Sequence, residues 1–470
     1  MSNTKTIMGQ ASNQYVTPTD ITDVFSTYLY DGSSSAQTIT NGIDLAGEGG
    51  LVWMKNRTIG SYSHALQHTT IADGGYLSSN TTVAFQAAAN NGISAFNSNG
   101  FTFDTGNWEE FNNSAHDYAS WTFRKAPKFF DIVTWTGDSV AGREIAHGLG
   151  GAPGMMFVKN LTSATSWAVY HRHFGGNSHL FLDTTSAVGQ NILYWNNTDA
   201  TSTHFTVGTA NRTNTSGQTY VAYIFAHNDG DGGFGPNYDQ DIIKCGSYTG
   251  NGVANGPEIN LGFEPQWLMI KRSDSADGWS MVDSMRGFDA DGSVEQFSAN
   301  NTDAGTARTD RVSPSATGFK LRATDFEWNA SGGTYIYMAI RRGPLTPPEA
   351  GTEVFSVNTG TPGFTTGFAT DFSIHTTRAG GYSHNAISRL TGLGYLRPDA
   401  TDAEATANST KWFNNGSANT LLDLSTNWFA GVSDVISWNW KRAPSYFDCV
   451  AYSGTGANRT VSHNLGVAPE

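Results

Sequence analysis

The chain repeats itself, and that limits its fold to a small unit used several times over. Ser120-Trp121-Thr122-Phe123-Arg124-Lys125-Ala126-Pro127-Lys128-Phe129-Phe130-Asp131-Ile132-Val133 returns 317 residues later as Ser437-Trp438-Asn439-Trp440-Lys441-Arg442-Ala443-Pro444-Ser445-Tyr446-Phe447-Asp448-Cys449-Val450. A second anchor, an apolar strand running into an aromatic or polar residue, then Thr, Ser or Asp, then Gly, stands at Tyr30-Asp31-Gly32, Trp135-Thr136-Gly137, Tyr248-Thr249-Gly250, Asn358-Thr359-Gly360 and Tyr452-Ser453-Gly454. The glycine spacings of 105, 113, 110 and 94 residues place the length changes in loops. Five starts give units of about 105 residues at 21–127, 128–232, 241–345 and 352–444, with an incomplete fifth over 445–470. A repeat cut there lacks most of its strands, so the expectation is a fragment, or the ordered part, of a longer protein.

Each unit closes on strong β-formers: Tyr118 to Phe123, Tyr220 to Phe225, Tyr335 to Ile340 and Val435 to Trp440. In the first and fourth, polar and apolar positions alternate. A Leu-Gly-x-x-Pro turn at Leu149 and Leu261 leads into Met155-Met156-Phe157-Val158-Lys159 and Trp267-Leu268-Met269-Ile270-Lys271, and eight residues after each lysine stands Trp167 or Trp279. The first unit offers Leu51-Val52-Trp53-Met54-Lys55 at that place; the fourth diverges but shares Tyr-Ser-His with the first, at Tyr62 and Tyr382. Short strands with turn signals every few residues predict an all-β fold of tandem antiparallel β-sandwich repeats, jelly-roll (concanavalin or laminin-G-like), with an immunoglobulin-like sandwich not separable by pattern. Proline-bearing joins such as Arg124 to Lys128 predict a fixed pose between successive sandwiches, and the longer join 228–236 is the expected hinge.

Composition narrows the partners. Lys plus Arg number 27 against 41 Asp plus Glu, a net charge of −14, and no basic cluster appears, which argues against nucleic acid and anionic membrane. No apolar run is long enough to predict membrane insertion, and the start is too polar for a signal peptide. Cys245 and Cys449 fall at the same place in two repeats and read as unpaired small core residues.

Few residues invite chemistry. Trp108-Glu109-Glu110 puts its carboxylates on neighbouring positions, unlike the closely spaced pair of a retaining glycosidase. His171-Arg172-His173 with His179 lacks supporting carboxylates or cysteines for a metal. These patterns predict no enzyme. Asp289, Asp291 and Glu295 around Gly292 are the candidate calcium ligands, because oxygen donors on a turn suit that ion; Asp229 and Asp231 offer two more carboxylates. Trp108, Trp195 and Trp428, in or beside polar loops, are the candidate carbohydrate-stacking residues.

The Lys and later Trp set (Lys159 with Trp167, Lys271 with Trp279), the Trp279-x-x-x-Asp283-x-x-Arg286-Gly287 element and the closing Tyr335-Ile336-Tyr337-Met338-Ala339-Ile340-Arg341 resemble repeat sandwich domains of marine bacteriophage, cyanophage-type, tail-fibre and virion appendage proteins. The resemblance covers about residue 21 to 470 and transfers no catalytic residue. It implies an elongated virion structural protein made in the host cytoplasm, docked to tail, collar or capsid proteins through residues 1–20. It further implies homotrimeric association and host-surface contact, and the aromatic loop residues make a host-surface glycan the candidate partner there. The alternative is a bacterial surface lectin or a glycan-hydrolysing multidomain protein.

Overall fold

The computed structural model describes residues 19–470 except 72–74, 88–91, 107, 407–412, 414–420, 423, 425–428, 430, 453 and 455. The fold is all-β, in antiparallel sheets, with four single-turn 3₁₀ segments as its only helices among the described residues. Four times over, a larger sheet has its closing strand inside, between an opening strand and the strand that leads to the lysine position. In sandwich 1, Asp117–Arg124 lies between Phe25–Asp31 and Gly50–Asn56; in sandwich 2, Thr219–Phe225 lies between Phe130–Thr136 and Met155–Asn160. In sandwich 3, Thr334–Arg341 lies between Ile243–Thr249 and Pro265–Arg272; in sandwich 4, Val435–Trp440 lies between Phe355–Gly360 and Phe372–Thr377. A two- or three-stranded sheet covers one face of each.

Register makes the four superimposable residue by residue. Trp53 faces Trp121, Phe157 faces Tyr223, Met269 faces Met338 and Ile374 faces Trp438. Between the two sheets, sandwiches 1 to 3 repeat one clasp. Tyr118, Tyr220 and Tyr335 donate their hydroxyls to the carbonyls of Glu109, Asn211 and Phe326, nine residues back. The anchor residues Tyr30, Trp135 and Tyr248 stack on them at 5.2, 5.4 and 4.8 Å. Their own polar ends reach the carbonyls of Phe111, Thr213 and Trp328. Each pair thus buries two large rings while satisfying both polar tips, which fixes the loop before the closing strand. The glycine of the anchor is required where a Cβ on Gly32, Gly137 or Gly250 would lie 2.0 to 2.3 Å from the carbonyl oxygens of Asn113, Thr215 or Ala330.

The opposite face of each larger sheet is equally apolar, and it packs on its sisters. Leu51, Trp53, Trp121 and Phe123 of sandwich 1, Phe157, Tyr223 and Phe225 of sandwich 2, and Trp267, Met269, Trp279, Phe297 and Met338 of sandwich 3 form a single buried core. Trp53 meets Phe157 edge-on at 6.4 Å, Phe157 meets Trp279 at 6.5 Å, and Phe297 meets Trp121 at 5.9 Å, so the contacts run from sandwich 1 to 2 to 3 and back to 1. The first three sandwiches close about a pseudo-threefold axis. The expectation of sandwiches strung out lengthwise is corrected for them: a sheet apolar on both faces needs a cover on its second face, and two sister sheets supply it.

The joins follow from this closure. The expected hinge at 228–236 is strapped down: Asn228 donates to the carbonyl of Lys128 and accepts from the amides of Ile242 and Ile243, while Lys128 pairs with Asp231 at 2.6 Å. Sandwich 4 sits on sandwich 3, with the Ala290 amide donating to the Leu390 carbonyl. Asp20, at the entrance to sandwich 1, accepts from the amides of Leu345 and Thr346 in the join to sandwich 4.

Candidate functional site

The side chains with most chemical potential converge on the three seams of the closed body. Lys55, Lys159 and Lys271, one per sandwich, are fully buried at equivalent strand positions. Lys159 donates to the carbonyl of Thr165 at 2.5 Å and, across the seam, to that of Thr82 in sandwich 1 at 3.0 Å. Lys271 donates to its neighbour Arg272 at 2.6 Å and to Thr185 of sandwich 2 at 3.1 Å. Lys55 donates to Asn56 and lies 5.5 Å over the ring of Phe297 in sandwich 3. Burial pulls all three ammonium groups down to about 8, opposed by Asp303 at Lys55, Asp183 at Lys159 and Asp277 at Lys271.

The tryptophans that follow the lysines close the same seams. Trp167 donates its indole N–H to the carbonyl of Ser78 in sandwich 1, and Trp279 donates to that of Phe181 in sandwich 2, both at 2.9 Å. Strand register puts His64 at the matching place in sandwich 1 and Ser298 at the matching place in sandwich 3, and His64 Nε2 lies 3.1 Å from the Ser298 carbonyl. Trp53 donates to His64 Nδ1 at 2.9 Å. One acceptor partner and one donor partner fix the neutral Nε2–H tautomer. Burial first, then Lys55, holds this imidazole well below the usual histidine range.

The seam from sandwich 3 to sandwich 1 also carries charge. Asp283 and Arg286 form a fully buried pair at 2.6 Å, and Trp121 of sandwich 1 donates to the same carboxylate at 3.0 Å. The guanidinium lies 4.3 Å over Phe297 and 5.3 Å over Trp121. Arg57 of sandwich 1 adds a two-pronged pair to Glu295 at 3.2 and 3.1 Å. The lysine ammonium groups, the Trp167 and Trp279 indoles, His64 and the Asp283–Arg286 pair are each held by a neighbour, an arrangement suited to joining sheets, while the Trp267 indole N–H and the Tyr223 hydroxyl are buried without a hydrogen-bond partner among the described residues.

The sequence-expected site residues are dispersed. Trp195 is 1% exposed and packs edge-on against Tyr170 at 5.8 Å, which corrects its assignment as a sugar platform: the polar residues beside it form a turn over the core. Trp108 is partly buried, 6.0 Å from both Phe111 and Tyr76, and finishes the core of sandwich 1. Trp428 lies outside the described residues.

The three calcium candidates do not converge. Glu295 turns to Arg57, Asp291 accepts from Ser293 in its own turn, and Asp289 is buried beside Gly392 of sandwich 4. Among the described residues no three His, Cys, Asp or Glu side chains gather as a metal site. His171 is buried against the Tyr337 carbonyl, burial taking it to about 3, and His179 stacks on Tyr194 at 4.0 Å. Cys245 and Cys449 are unpaired. No helix among the described residues is long and apolar enough to cross a membrane.

What sequence reasoning missed is the seam itself and the ion network under sandwich 4. The available signal was the closing strand Tyr220–Phe225, apolar at every position, where a sheet with one wet face would alternate.

A family model described as a domain of unknown function, DUF7483, matches residues 20–344. The chain belongs to that family. The matched span begins at Asp20, ends at Pro344 and encloses the three-sandwich body, so the DUF7483 unit is the closed set of three and not the single sandwich. No curated protein and no solved structure matches the chain.

Proposed function

We propose that this DUF7483 chain is a non-enzymatic structural component of a bacteriophage virion, a tail fibre or similar appendage involved in host-surface recognition. Attachment to tail, collar or capsid proteins through residues 1–20, homotrimeric association and engagement of a host-surface glycan belong to this reading. One observation carries it: the lysines, indoles and buried ion pairs are all engaged in fastening three sandwiches into one body, which is what a part under mechanical load requires. The motif resemblance supplies the kind of particle, and the net charge of −14 fits a partner other than nucleic acid. Electron microscopy of purified particles, with the chain traced into density, is the test. Density for the three-sandwich body on an appendage is expected. Particles lacking the chain, together with polysaccharide hydrolysis by the purified protein, would overturn the reading in favour of the glycan hydrolase.

A further inference from the structure

Sandwich 4 has the same sheet as sandwich 1 in matching register, but among the described residues its second face is not covered by a sister sheet. Phe123, Trp121, Trp53 and Leu77 of sandwich 1 correspond to Trp440, Trp438, Ile374 and Leu396 of sandwich 4, and Thr27 corresponds to Val357. The four apolar residues in sandwich 1 are fully buried by its sisters; in sandwich 4, Val357 is 48% and Leu396 49% exposed, and Ile374, Trp438 and Trp440 are only half-buried. The face toward its own second sheet carries Ile387, Tyr395 and Val435 in the core of sandwich 4, beside the buried Ser373, Ser437 and Asn439, which hydrogen-bond to one another. Val357, Ile374, Leu396, Trp438 and Trp440 lie on the other, outward face, where an extended apolar patch marks a binding surface.

We infer that this face is an interface for the fourth sandwiches of two further copies of the chain, closed about a threefold axis as sandwiches 1 to 3 are closed within it. Three observations select that occupant. In this protein, this sheet face is covered three times, each time by two sheets of the same repeat. His384 occupies the place of His64, and Arg397 the place of Ser78, so the seam bond has both its halves: the imidazole of one copy meets the Arg397 carbonyl of the next. His384 has its side chain half exposed, whereas His64 is sealed. The chain's own residues 446–470 do not supply the cover. Phe447 seals one edge, against Phe372 at 5.7 Å, and the segment then runs over sandwich 3, where Asn464 meets Glu264. The inference stands on the internal symmetry and does not depend on the virion reading.

The test is the mass of the 470-residue chain in solution, by sedimentation equilibrium across about 1–100 µM. A trimer is expected. The double substitution Val357→Glu with Leu396→Glu changes two half-exposed positions, and it should weaken association at least tenfold while leaving the thermal unfolding of the three-sandwich body in place. Val140→Glu with Ile192→Glu, on exposed positions of sandwich 2, should leave the trimer intact. A monomer or dimer throughout that range, or a trimer indifferent to the sandwich 4 substitutions, overturns the inference.

Discussion

The seams among sandwiches 1 to 3 and the junction between sandwiches 3 and 4 join similar modules by opposite physics. The seams are mainly aromatic and buried, with indole and ammonium donors capping backbone carbonyls of the neighbour and ion pairs added in the seam from sandwich 3 to sandwich 1. The junction is ionic: Arg442 grips Glu264 through both of its terminal nitrogens and Asp448 through Nε at 2.8 Å, while Arg342 pairs with Asp371 at 2.6 Å. An apolar seam is non-directional and gains in proportion to the area hidden, so it suits surfaces that bury one another as they fold. An ionic junction gains little over water unless every charge is met, so it suits docking of finished modules in one pose. That difference predicts that the body of three unfolds as one unit and that sandwich 4 can be detached from it.

The largest expected effect is at the centre of the seams. Trp121→Ala removes a fully buried indole that touches Trp53 and Phe297 and that donates to Asp283. It should destabilise the three-sandwich body by about 3–5 kcal/mol, read as a lower urea midpoint for that transition alone. Separate unfolding of sandwich 1 with 2 and 3 intact would contradict a shared core. Arg442→Met comes next. Burial opposes the Arg442 charge, but Glu264 and Asp448 outweigh burial and hold its pKa above the ordinary value, so removing it leaves Asp448 without this partner and Glu264 with Arg342 at 4.0 Å. A loss of about 3 kcal/mol at the junction is expected, seen as protease cleavage in the join 343–349 with the body of three left whole.

Acid should distinguish the two kinds of joint. His64, His68 and His171 lie in the body and are held neutral by burial, the latter two down to about 3; sandwich 4 has His375, also at about 3. Below an unfolded pKa near 6.5 the unfolded chain binds protons that the folded one refuses, so each such histidine lowers stability by about 1.4 kcal/mol per pH unit. Asp371 runs the other way: burial would raise its pKa, but Arg342, Arg442 and Arg389 bring it below the ordinary aspartate value. Its contribution is complete above about pH 4 and fades as pH falls through the folded value. Between pH 7 and 5 the body, where half-burial also takes His179 and His227 down to about 4, should therefore weaken several times as steeply as sandwich 4, with the junction held. Urea midpoints at three pH values would measure this, and a junction that opens first would sink the assignment.

The strands were legible because local pattern sets them: the closing strands, the Lys strands and the first four Gly anchors lie where β-propensity and turn chemistry put them, while no strand leads to the fifth anchor at Tyr452 among the described residues. The cysteines are unpaired; Cys245 is a buried core residue of its strand, whereas Cys449 lies outside any strand and is only part-buried. The site was not legible. Trp195 sits next to Asn196 and Asn197 and looked exposed, but Tyr170, from a distant strand, covers it. Trp121 and Asp283 are 162 residues apart, and nothing local couples them. Calcium failed similarly: Asp289, Asp291 and Glu295 are close in sequence, yet the hairpin sends Glu295 across the seam to Arg57.

The smallest effect sharpens the comparison most, because it concerns the one seam that mixes the two kinds of joint. At the place of Arg57, sandwiches 2 and 3 have Leu161 and Ser273, which meet the preceding sandwich through their backbone carbonyls, accepting from the Phe85 and Val188 amides. Sandwich 3 instead offers Glu295, and the Arg57 guanidinium answers it; burial works against that charge, and Glu295 more than compensates, raising its pKa. Arg57→Leu puts the sandwich 2 residue into the sandwich 1 position. If the apolar core already closes the body, the loss should be about 1 kcal/mol, and salt, which screens so covered a pair only weakly, should reproduce little of it in the wild type. A loss several times larger, or a body that opens between sandwiches 3 and 1, would show that the last seam is held by its ion pair and that aromatic packing completes only two of the three.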